Sequence, residues 1–300
     1  MKKELKLIVI QGPTASGKTK IAVELAKQLN TVVLSADSRQ FYKEISIGTA
    51  KPSEEEMGGI THYFIDSHTL SDEVSAARFA DEARALIYDE LSDLECVIIV
   101  GGSGLFIQAL CEGLDSIPHD KILQNKLTEE WKEKGLTHFL EELRSKDPDY
   151  FQQIDQDNPL RVIRAIEAMR LSGKTITELR SGNEKSSFDT VHYFTTDLPR
   201  EDLYKRINAR VEQMLELGLE NEARSVYHLR HLKSLQTVGY REFFDFFDRK
   251  TSKEEAIELI KQHSRNYAKR QITWFKSHHP GTIISNEIES IKLILEKIDY

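Results

Sequence analysis

Short apolar runs alternate with amphipathic segments along the first hundred residues of this 300-residue chain. The runs at 5–11, 31–36 and 95–100 are rich in β-branched residues, which is typical of buried strands in a parallel sheet. Apolar positions at helical spacing predict helices at 18–29 and 75–91. Strands that alternate with helices indicate βαβ units, so the pattern predicts an α/β fold with a parallel sheet flanked by helices.

The pattern changes after residue 115. Residues 119–185 have almost no β-branched runs and predict short amphipathic helices, such as 123–134 and 137–145. The remaining chain predicts a strand at 191–197 and helices at 200–217, 221–229, 254–275 and 287–297. We therefore expect a core domain formed by residues 1–118 and 190–300, and an all-helical insertion domain at residues 119–189.

The composition is that of a folded protein, with 39% hydrophobic and 30% charged residues. Cys96 and Cys111 lie in apolar surroundings without the spacing of a zinc site or a disulfide framework, which favours a reducing compartment. The first apolar run is about six residues, too short for a signal peptide, and no stretch approaches the roughly 20 apolar residues of a membrane span. We expect a cytoplasmic protein without a membrane partner.

A phosphate-binding motif stands between the first predicted strand and the first predicted helix. Residues 12–19 fit the pattern G-x-x-x-x-G-K-[ST] with Gly12, Pro13, Thr14, Ala15, Ser16, Gly17, Lys18 and Thr19. Backbone N–H groups of such a loop and the helix N-terminus converge on an anion. Lys18 adds a charge for the outer phosphates, and the Thr19 hydroxyl can ligate Mg²⁺. The sequence thus predicts a P-loop NTPase-like sheet that binds a diphosphate with Mg²⁺.

Asp37 follows the second predicted strand, and the carboxyl ends of parallel strands share one ligand crevice. Its carboxylate suits a general base or a water-mediated Mg²⁺ ligand, and a structural turn-forming aspartate is the alternative. The third strand ends in Gly-Gly-Ser-Gly at 101–104, where NTP-hydrolysing proteins often carry an aspartate. This difference favours a phosphate-binding loop used for chemistry other than NTP hydrolysis.

Three arginines permit two interpretations each. Helical spacing places Arg210 at the edge of an apolar face, so it either extends along the surface or reaches a buried anion such as a leaving diphosphate. Arg161 and Arg164 follow a predicted helix start at Asn158-Pro159, and both point away from the apolar side of that helix. They form either a solvated pair or a contact with a phosphate backbone.

A second basic group lies near the C-terminus. Lys261, Arg265 and Lys269 share one helix face inside residues 259–286, a stretch without acidic residues. A solvated surface and a nucleic-acid contact are both open for this face. The formal net charge of −8 does not exclude a nucleic acid, because phosphate contacts depend on local patches.

The motifs together resemble one family, the tRNA dimethylallyltransferases of bacterial type. The matching segments run in order through nearly the whole chain: GPTASGKT (12–19), ADSRQFY (36–42), IGTAKP (47–52), GGSGLF (101–106), DNPLRVIRAIE (157–167), Arg206 and Arg210 with MLELGLENE (214–222), QTVGYRE (236–242) and YAKRQITWF (267–275). Phe41 and Phe106 stand where the family often has an aliphatic residue and a tyrosine. Ser103 replaces a threonine and keeps the hydroxyl. These 300 residues show no zinc-finger pattern like that of eukaryotic relatives, so we expect the bacterial type.

The resemblance implies transfer of a dimethylallyl group from dimethylallyl diphosphate to N6 of the adenosine just 3′ of the anticodon. It assigns catalytic roles to Thr14, Asp37 and Arg210, and Mg²⁺ to Thr19. It assigns the target base to Asp37, Ser38, Arg39 and Gln40. It assigns other tRNA contacts to Ser103, Leu160, Arg161 and Arg164, with the insertion holding the anticodon stem-loop. Nothing in the sequence demands a dimer, so a monomer is expected.

Other classes of protein share parts of this pattern. A small-molecule kinase would also use the loop, Mg²⁺ and arginines. An isopentenyltransferase acting on free adenine nucleotides would not need the arginine-bearing insertion. A P-loop RNA-binding module would bind a nucleotide without consuming an allyl donor. Without the resemblance, the residues indicate a P-loop transferase or kinase of unknown acceptor.

Overall fold

The computed structural model describes residues 5–115, 117–180, 188, 190–285 and 289–299. The chain divides into two compact units. We call residues 1–112 with 186–300 the core unit, and residues 113–185 the helical unit.

The core unit contains a parallel sheet, as the strand pattern predicts, and the predicted α/β fold is confirmed. Its strands within the described residues are β1 Lys6–Gln11, β2 Val33–Ser35, β3 His62–Tyr63, β4 Cys96–Gly101, β5 Thr190–Thr196 and β6 Thr282–Ile284. They lie in the order β3-β2-β4-β1-β5-β6, and each neighbouring pair is parallel. β1 is a central strand, and its residues 7–11 are buried. β2, β4 and β1 are consecutive parallel strands, so their carboxyl ends lie side by side at one edge of the sheet.

The helices of the described residues are α1 Lys18–Leu29, α2 Glu54–Met57, α3 Ala76–Asp89, α4 Gly104–Cys111, α5 Lys121–Lys134, α6 Leu136–Lys146, α7 Pro148–Gln153, α8 Pro159–Ser172, α9 Ile176–Arg180, α10 Arg200–Glu216, α11 Leu219–Ser225, α12 Tyr240–Phe247, α13 Lys253–His278 and α14 Glu289–Lys297. Of these, α5–α9 form the helical unit. α1 buries the apolar face that its spacing predicts, with Ile21, Leu25 and Leu29 against the sheet. Ser252 caps the N-terminus of the long helix α13 through the N–H of Glu255.

Several elements differ from the sequence prediction. β3 and β6, with two and three residues, are too short for a periodicity to show, and they form because they pair with β2 and β5. α12 was not predicted, although its Phe-rich segment is amphipathic: Tyr240, Phe243 and Phe244 are buried, while Arg241 and Asp245 lie on the other face. The helix predicted at 221–229 ends at Ser225 and continues as a 3₁₀ turn at Tyr227–Leu229. The predicted start of the last helix at 287 lies outside the described residues.

The helical unit has its own apolar core, in which Phe139 and Leu143 of α6 pack with Val162 and Ile166 of α8. In the part of the chain that the structure describes, no helix combines the length and the apolar character needed to cross a membrane.

Candidate active site

The loop between β1 and α1 has backbone conformations that few residues adopt. Gly12 and Gly17 have φ values of 148° and 88°, and Ala15 has a φ of 62°. A Cβ at Gly12 would lie 2.1 Å from Oγ1 of Thr196, so a side chain has no space there. Thr196 also shares a hydrogen bond of 2.6 Å with the Ser16 hydroxyl. β5 therefore supports the loop, whose N–H groups and helix N-terminus favour an anion.

Gln271 of α13 links this loop to the end of β4. Its Oε1 accepts a hydrogen bond from the N–H of Thr14 at 2.9 Å, and its Nε2 donates to the carbonyl oxygen of Gly102 at 2.9 Å. A Cβ at Gly102 would lie 2.2 Å from Nε2 of Gln271, so the glycine leaves room for this contact. Sequence reasoning missed Gln271. The available signal was a glutamine on the apolar face of the helix, in register with Ala268 and Phe275.

Asp37 lies just beyond β2, where its carboxylate takes part in a turn and is also buried. Its Oδ1 accepts a hydrogen bond from the N–H of Arg39 at 3.1 Å, as in the turn that was the alternative interpretation. Burial raises the pKa of the Asp37 carboxyl, while the hydrogen bond from Arg39 and the charge of Lys18 oppose that rise. A carboxylate with a raised pKa is a better proton acceptor than an ordinary aspartate.

A cavity of about 360 Å³ brings four of the predicted site residues of the core unit together, while Lys18, Thr19, Ser38, Gln40 and Ser103 are not part of its lining. Its walls include Thr14 of the loop, Asp37, Arg39 and Arg210. The rest of the lining comes from Gly48, Thr49, Ala50, Ile207, Val211, Met214, Gln236, Thr237, Val238, Gly239, Arg241, Ile260, Ser264, Tyr267 and Arg270. This volume is within the range of small-molecule sites, and polar groups converge on an otherwise mixed lining.

Two cations near this cavity are partly deprived of solvent. Burial lowers the pKa of Lys18 to about 7, although the Asp37 carboxylate acts in the opposite direction. Burial also lowers the pKa of Arg210, against the charges of Glu56 and Asp37. Lys18 donates to the carbonyl oxygen of Pro13 at 2.6 Å. An anion bound between Lys18 and Arg210 would restore the interactions that water no longer supplies.

The donor set of the site fits a hard divalent cation. Thr19 in the first turn of α1 offers a hydroxyl oxygen, and Asp37 offers a carboxylate, which are the oxygen ligands that Mg²⁺ accepts. The described residues contain no cluster of three or more His, Cys, Asp or Glu side chains that could hold a metal alone. Mg²⁺ that keeps several waters and binds mainly through substrate phosphates is compatible with such a site.

The four residues predicted for the base pocket differ in their surroundings. Ser103 accepts the N–H of Ser38 at 3.0 Å and donates to the Ser38 hydroxyl at 3.2 Å. Arg39 lines the cavity and donates to the carbonyl oxygen of Ser234 at 2.9 Å. Gln40 uses its Nε2 on the carbonyl oxygens of the 49–50 segment, at 3.4 and 3.1 Å. Its amide therefore holds the cavity wall.

Tyr267, which the sequence placed in the YAKRQITWF motif but not among the predicted site residues, lines the same cavity. Burial raises the pKa of Tyr267 to about 12, also under the influence of the Asp37 charge, while a hydrogen bond with Ser103 opposes the rise. Its hydroxyl is therefore neutral at physiological pH and serves as a hydrogen-bonding group.

In the helical unit the three predicted tRNA-contact residues lie at the start of α8. Leu160 and Arg161 are exposed. The expectation that Arg164 points away together with Arg161 is wrong. Arg164 donates to Glu167 at 2.8 Å and to the carbonyl oxygens of Pro118 at 2.7 Å and Ile117 at 3.0 Å. Glu167 is fully buried on the same helix, so its carboxylate draws the guanidinium inward.

The basic face of α13 is also less free than its sequence indicates. Lys261 pairs with Glu212 at 2.6 Å and Glu258 at 2.8 Å, so carboxylates from outside the acid-free stretch neutralise it. Arg265 donates to Asn208 at 2.7 Å, and Lys269 is exposed. Between the two interpretations, the structure favours an ordinary surface for Lys261.

A parallel sheet with a glycine-rich phosphate-binding loop after its central strand defines a P-loop protein. The IPP transferase family model matches residues 40–278. The chain is 46% identical to a tRNA dimethylallyltransferase of Cytophaga hutchinsonii over 285 residues, which cover 92% of this chain and 93% of that protein. The chain therefore belongs to the tRNA dimethylallyltransferase, or IPP transferase, family. This confirms the family assignment that the sequence motifs predict.

Solved structures agree with this assignment. The chain is similar to the full-length tRNA isopentenylpyrophosphate transferase of Bacillus halodurans, with 37% identity, a TM-score of 0.72, and coverage of 98% of this chain and 95% of that chain. It is also similar to a eukaryotic dimethylallyltransferase acting on tRNA, with 26% identity, a TM-score of 0.80, and coverage of 96% and 75%. The prediction of a tRNA-modifying prenyltransferase is confirmed, and a kinase or a free-adenylate enzyme is not favoured.

Proposed function

We propose that this protein transfers the dimethylallyl group of dimethylallyl diphosphate to N6 of the adenosine just 3′ of the anticodon in tRNA. The observation that carries the proposal is the cavity that Thr14, Asp37 and Arg210 line together. It joins a phosphate-binding loop, a carboxylate of raised pKa and a desolvated guanidinium. In a prenyl transfer from a diphosphate to an amine, these groups can bind the diphosphate, accept the proton of the amine and stabilise the leaving group.

The reaction breaks the bond between the allylic C1 and the diphosphate oxygen and forms a bond between C1 and N6. The electron pair of the broken bond leaves with the diphosphate. The loop N–H groups, Lys18 and Arg210 stabilise the charge that develops on this leaving group. The Thr19 hydroxyl would hold Mg²⁺ together with the substrate phosphates, and the ion would supply further positive charge to the leaving group.

Asp37 accepts a hydrogen bond from the exocyclic amine and takes its proton as N6 becomes positive. An exocyclic amine is a weak nucleophile, so its alignment with C1 supplies much of the rate enhancement. The neutral hydroxyl of Tyr267 and the Ser38–Ser103 pair offer further hydrogen bonds around the acceptor.

The target base has to leave its stacked position in the anticodon loop to reach such a cavity. We assign the base to the region of Asp37, Ser38 and Arg39, with Gln40 in a supporting role. Contacts of the helical unit with the anticodon stem-loop are assigned to Leu160 and Arg161. We further propose that the enzyme is monomeric and cytoplasmic.

The test gives the purified protein unmodified tRNA, Mg²⁺ and radiolabelled dimethylallyl diphosphate, with parallel reactions offering AMP or labelled ATP. We expect label in tRNA alone, located at the adenosine 3′ of the anticodon after nuclease digestion. Label in AMP would show that the acceptor is a free nucleotide and not tRNA. Consumption of ATP without prenyl transfer would overturn the proposal in favour of a kinase.

A further inference from the structure

The carboxylate of Glu222 in α11 holds a loop of the core unit that is remote from it in sequence. Its Oε2 accepts hydrogen bonds from the N–H groups of Ser46 and Ile47 at 2.8 and 2.9 Å. Its Oε1 accepts the N–H of Gly48 at 2.9 Å and the hydroxyl of Tyr240 at 2.5 Å. Four donors therefore converge on one carboxylate.

Gly48, the last of these three donors, and the next two residues form part of the cavity wall that also contains Asp37 and Arg210. Gln40 binds the carbonyl oxygens of Thr49 and Ala50. Ala50 has a φ of 50°, a conformation that costs a non-glycine residue free energy and persists only when its surroundings impose it. The 46–50 segment is therefore fixed from both of its ends.

The ring of Tyr240 limits the same segment sterically. A Cβ at Gly48 would lie 2.6 Å from the ring carbon Cε2 and 2.7 Å from the hydroxyl oxygen. Tyr240 is fully buried, and burial raises the pKa of its hydroxyl, with the Glu222 charge acting in the same direction. The hydroxyl is thus a permanent donor to Glu222. Neither Glu222 nor Tyr240 lines the cavity.

A glutamine cannot replace Glu222 in this arrangement. A carboxylate has two acceptor oxygens, and both are used by backbone donors, whereas a side-chain amide has one acceptor and would place its NH₂ group against N–H groups. An N–H group left without an acceptor in a partly buried loop favours another loop conformation.

We propose that Glu222, supported by Tyr240, is a positioning residue that fixes the 46–50 wall and thereby sets the alignment of donor and acceptor in the cavity. The inference rests on the proposed function. Glu222 holds the 46–50 segment, whereas the phosphate-binding loop is held by other residues, Thr196 and Gln271. Loss of Glu222 therefore slows transfer more than it weakens diphosphate binding.

The test compares Glu222→Gln and Tyr240→Phe with Glu220→Gln, a matched control on the same helix whose carboxylate pairs with Lys253 and Arg224 at the surface. Single-turnover transfer to tRNA, diphosphate affinity and amide hydrogen exchange are measured. We expect Glu222→Gln to slow transfer by about 10- to 100-fold, since small misplacements of reactants have effects of this size. Its diphosphate affinity stays within about twofold, and exchange rises at residues 46–48.

Tyr240→Phe keeps the ring and loses one donor, so we expect a loss of about three- to tenfold, the size of one hydrogen bond. Glu220→Gln should match the unsubstituted protein. An unchanged transfer rate in Glu222→Gln, or equal losses of rate and diphosphate affinity, would overturn the inference. If Glu222→Gln does not fold, an unchanged rate in Tyr240→Phe overturns it. Failure of the unsubstituted protein to label tRNA would instead overturn the proposed function, and the exchange data remain independent of that outcome.

Discussion

The side-chain amide of Gln271 accepts the backbone N–H of Thr14 at 2.9 Å, so a residue near the C-terminal end of the chain fixes the phosphate-binding loop near its start. The same amide donates to the carbonyl oxygen of Gly102. One buried side chain thereby joins the ends of β1 and β4, the two strands whose loops meet at the cavity.

Replacement of Gln271 by leucine removes both hydrogen bonds at similar volume. We expect diphosphate affinity to fall about tenfold, because a Thr14 N–H without its acceptor loosens the loop by roughly one hydrogen bond. Isothermal titration with diphosphate and Mg²⁺ measures the change. Gln262→Leu, at an exposed position of α13, is the matched control and should bind as the unsubstituted protein does. Equal affinities in the two variants would contradict the role of Gln271.

Asp37→Asn keeps the shape of the side chain and removes its capacity to accept a proton. We expect single-turnover transfer to slow by about a hundredfold or more while diphosphate and tRNA binding persist. Rapid-quench kinetics with labelled donor, together with filter binding of tRNA, separates the two effects. Unchanged turnover would remove Asp37 from the proton-accepting role.

The raised pKa of Asp37 also predicts a pH dependence. Transfer needs the carboxylate form, so its rate should fall as pH decreases through a pKa above the ordinary value of 3.8. The stability of the fold changes with pH in the opposite direction: it decreases as pH rises, because the folded state binds this proton more tightly than the unfolded chain does. At a pH above the pKa of Asp37 in the folded state, the buried carboxylate is ionised and lowers the free energy of unfolding. Asp37→Asn should therefore raise the melting temperature at neutral pH, with the gain vanishing below about pH 3.8. A lower melting temperature at neutral pH would contradict the burial argument.

Arg161 and Arg164 provide a matched pair on one helix. Arg161→Ala should leave unfolding within about 0.5 kcal/mol and reduce the salt dependence of tRNA binding by about one counterion. Arg164→Ala removes the guanidinium from the buried Glu167, which keeps its contacts with His119 and the N–H of Asp120, so we expect destabilisation of about 1–3 kcal/mol. Chemical denaturation and tRNA binding at several salt concentrations measure both. If both variants were equally stable, the inward orientation of Arg164 would have no energetic consequence.

Much of the core unit could be predicted from sequence because local patterns decide it. The β-branched runs at β1 and β4 are continuous because both faces of a central parallel strand are covered. The phosphate-binding loop is equally local, since its glycines are required by backbone geometry within eight consecutive residues. β3 and β6 could not be predicted in this way, because only their partners make them strands.

Side-chain partners were beyond the reach of periodicity. Helical spacing turned Arg164 away from the apolar face, but a long side chain bends toward whatever carboxylate is near, and Glu167 is a buried one. Glu222 stood inside a recognised motif, yet its hydrogen bonds to the 46–50 segment link residues far apart in sequence. The contact of Gln40 with Ala50 is nearer, but no periodicity indicates it.

By itself, the sequence determined the α/β class, the phosphate-binding loop, and the family through its ordered motifs, because each is written in neighbouring residues. Only the tertiary structure decided which side chains meet around the cavity. Thr14 and Asp37 lie in the loops after β1 and β2, and Arg210 and Tyr267 lie on α10 and α13. Their common cavity, and the burial that raises the pKa of Asp37 and lowers that of Lys18, arise only when the folded chain excludes water around them.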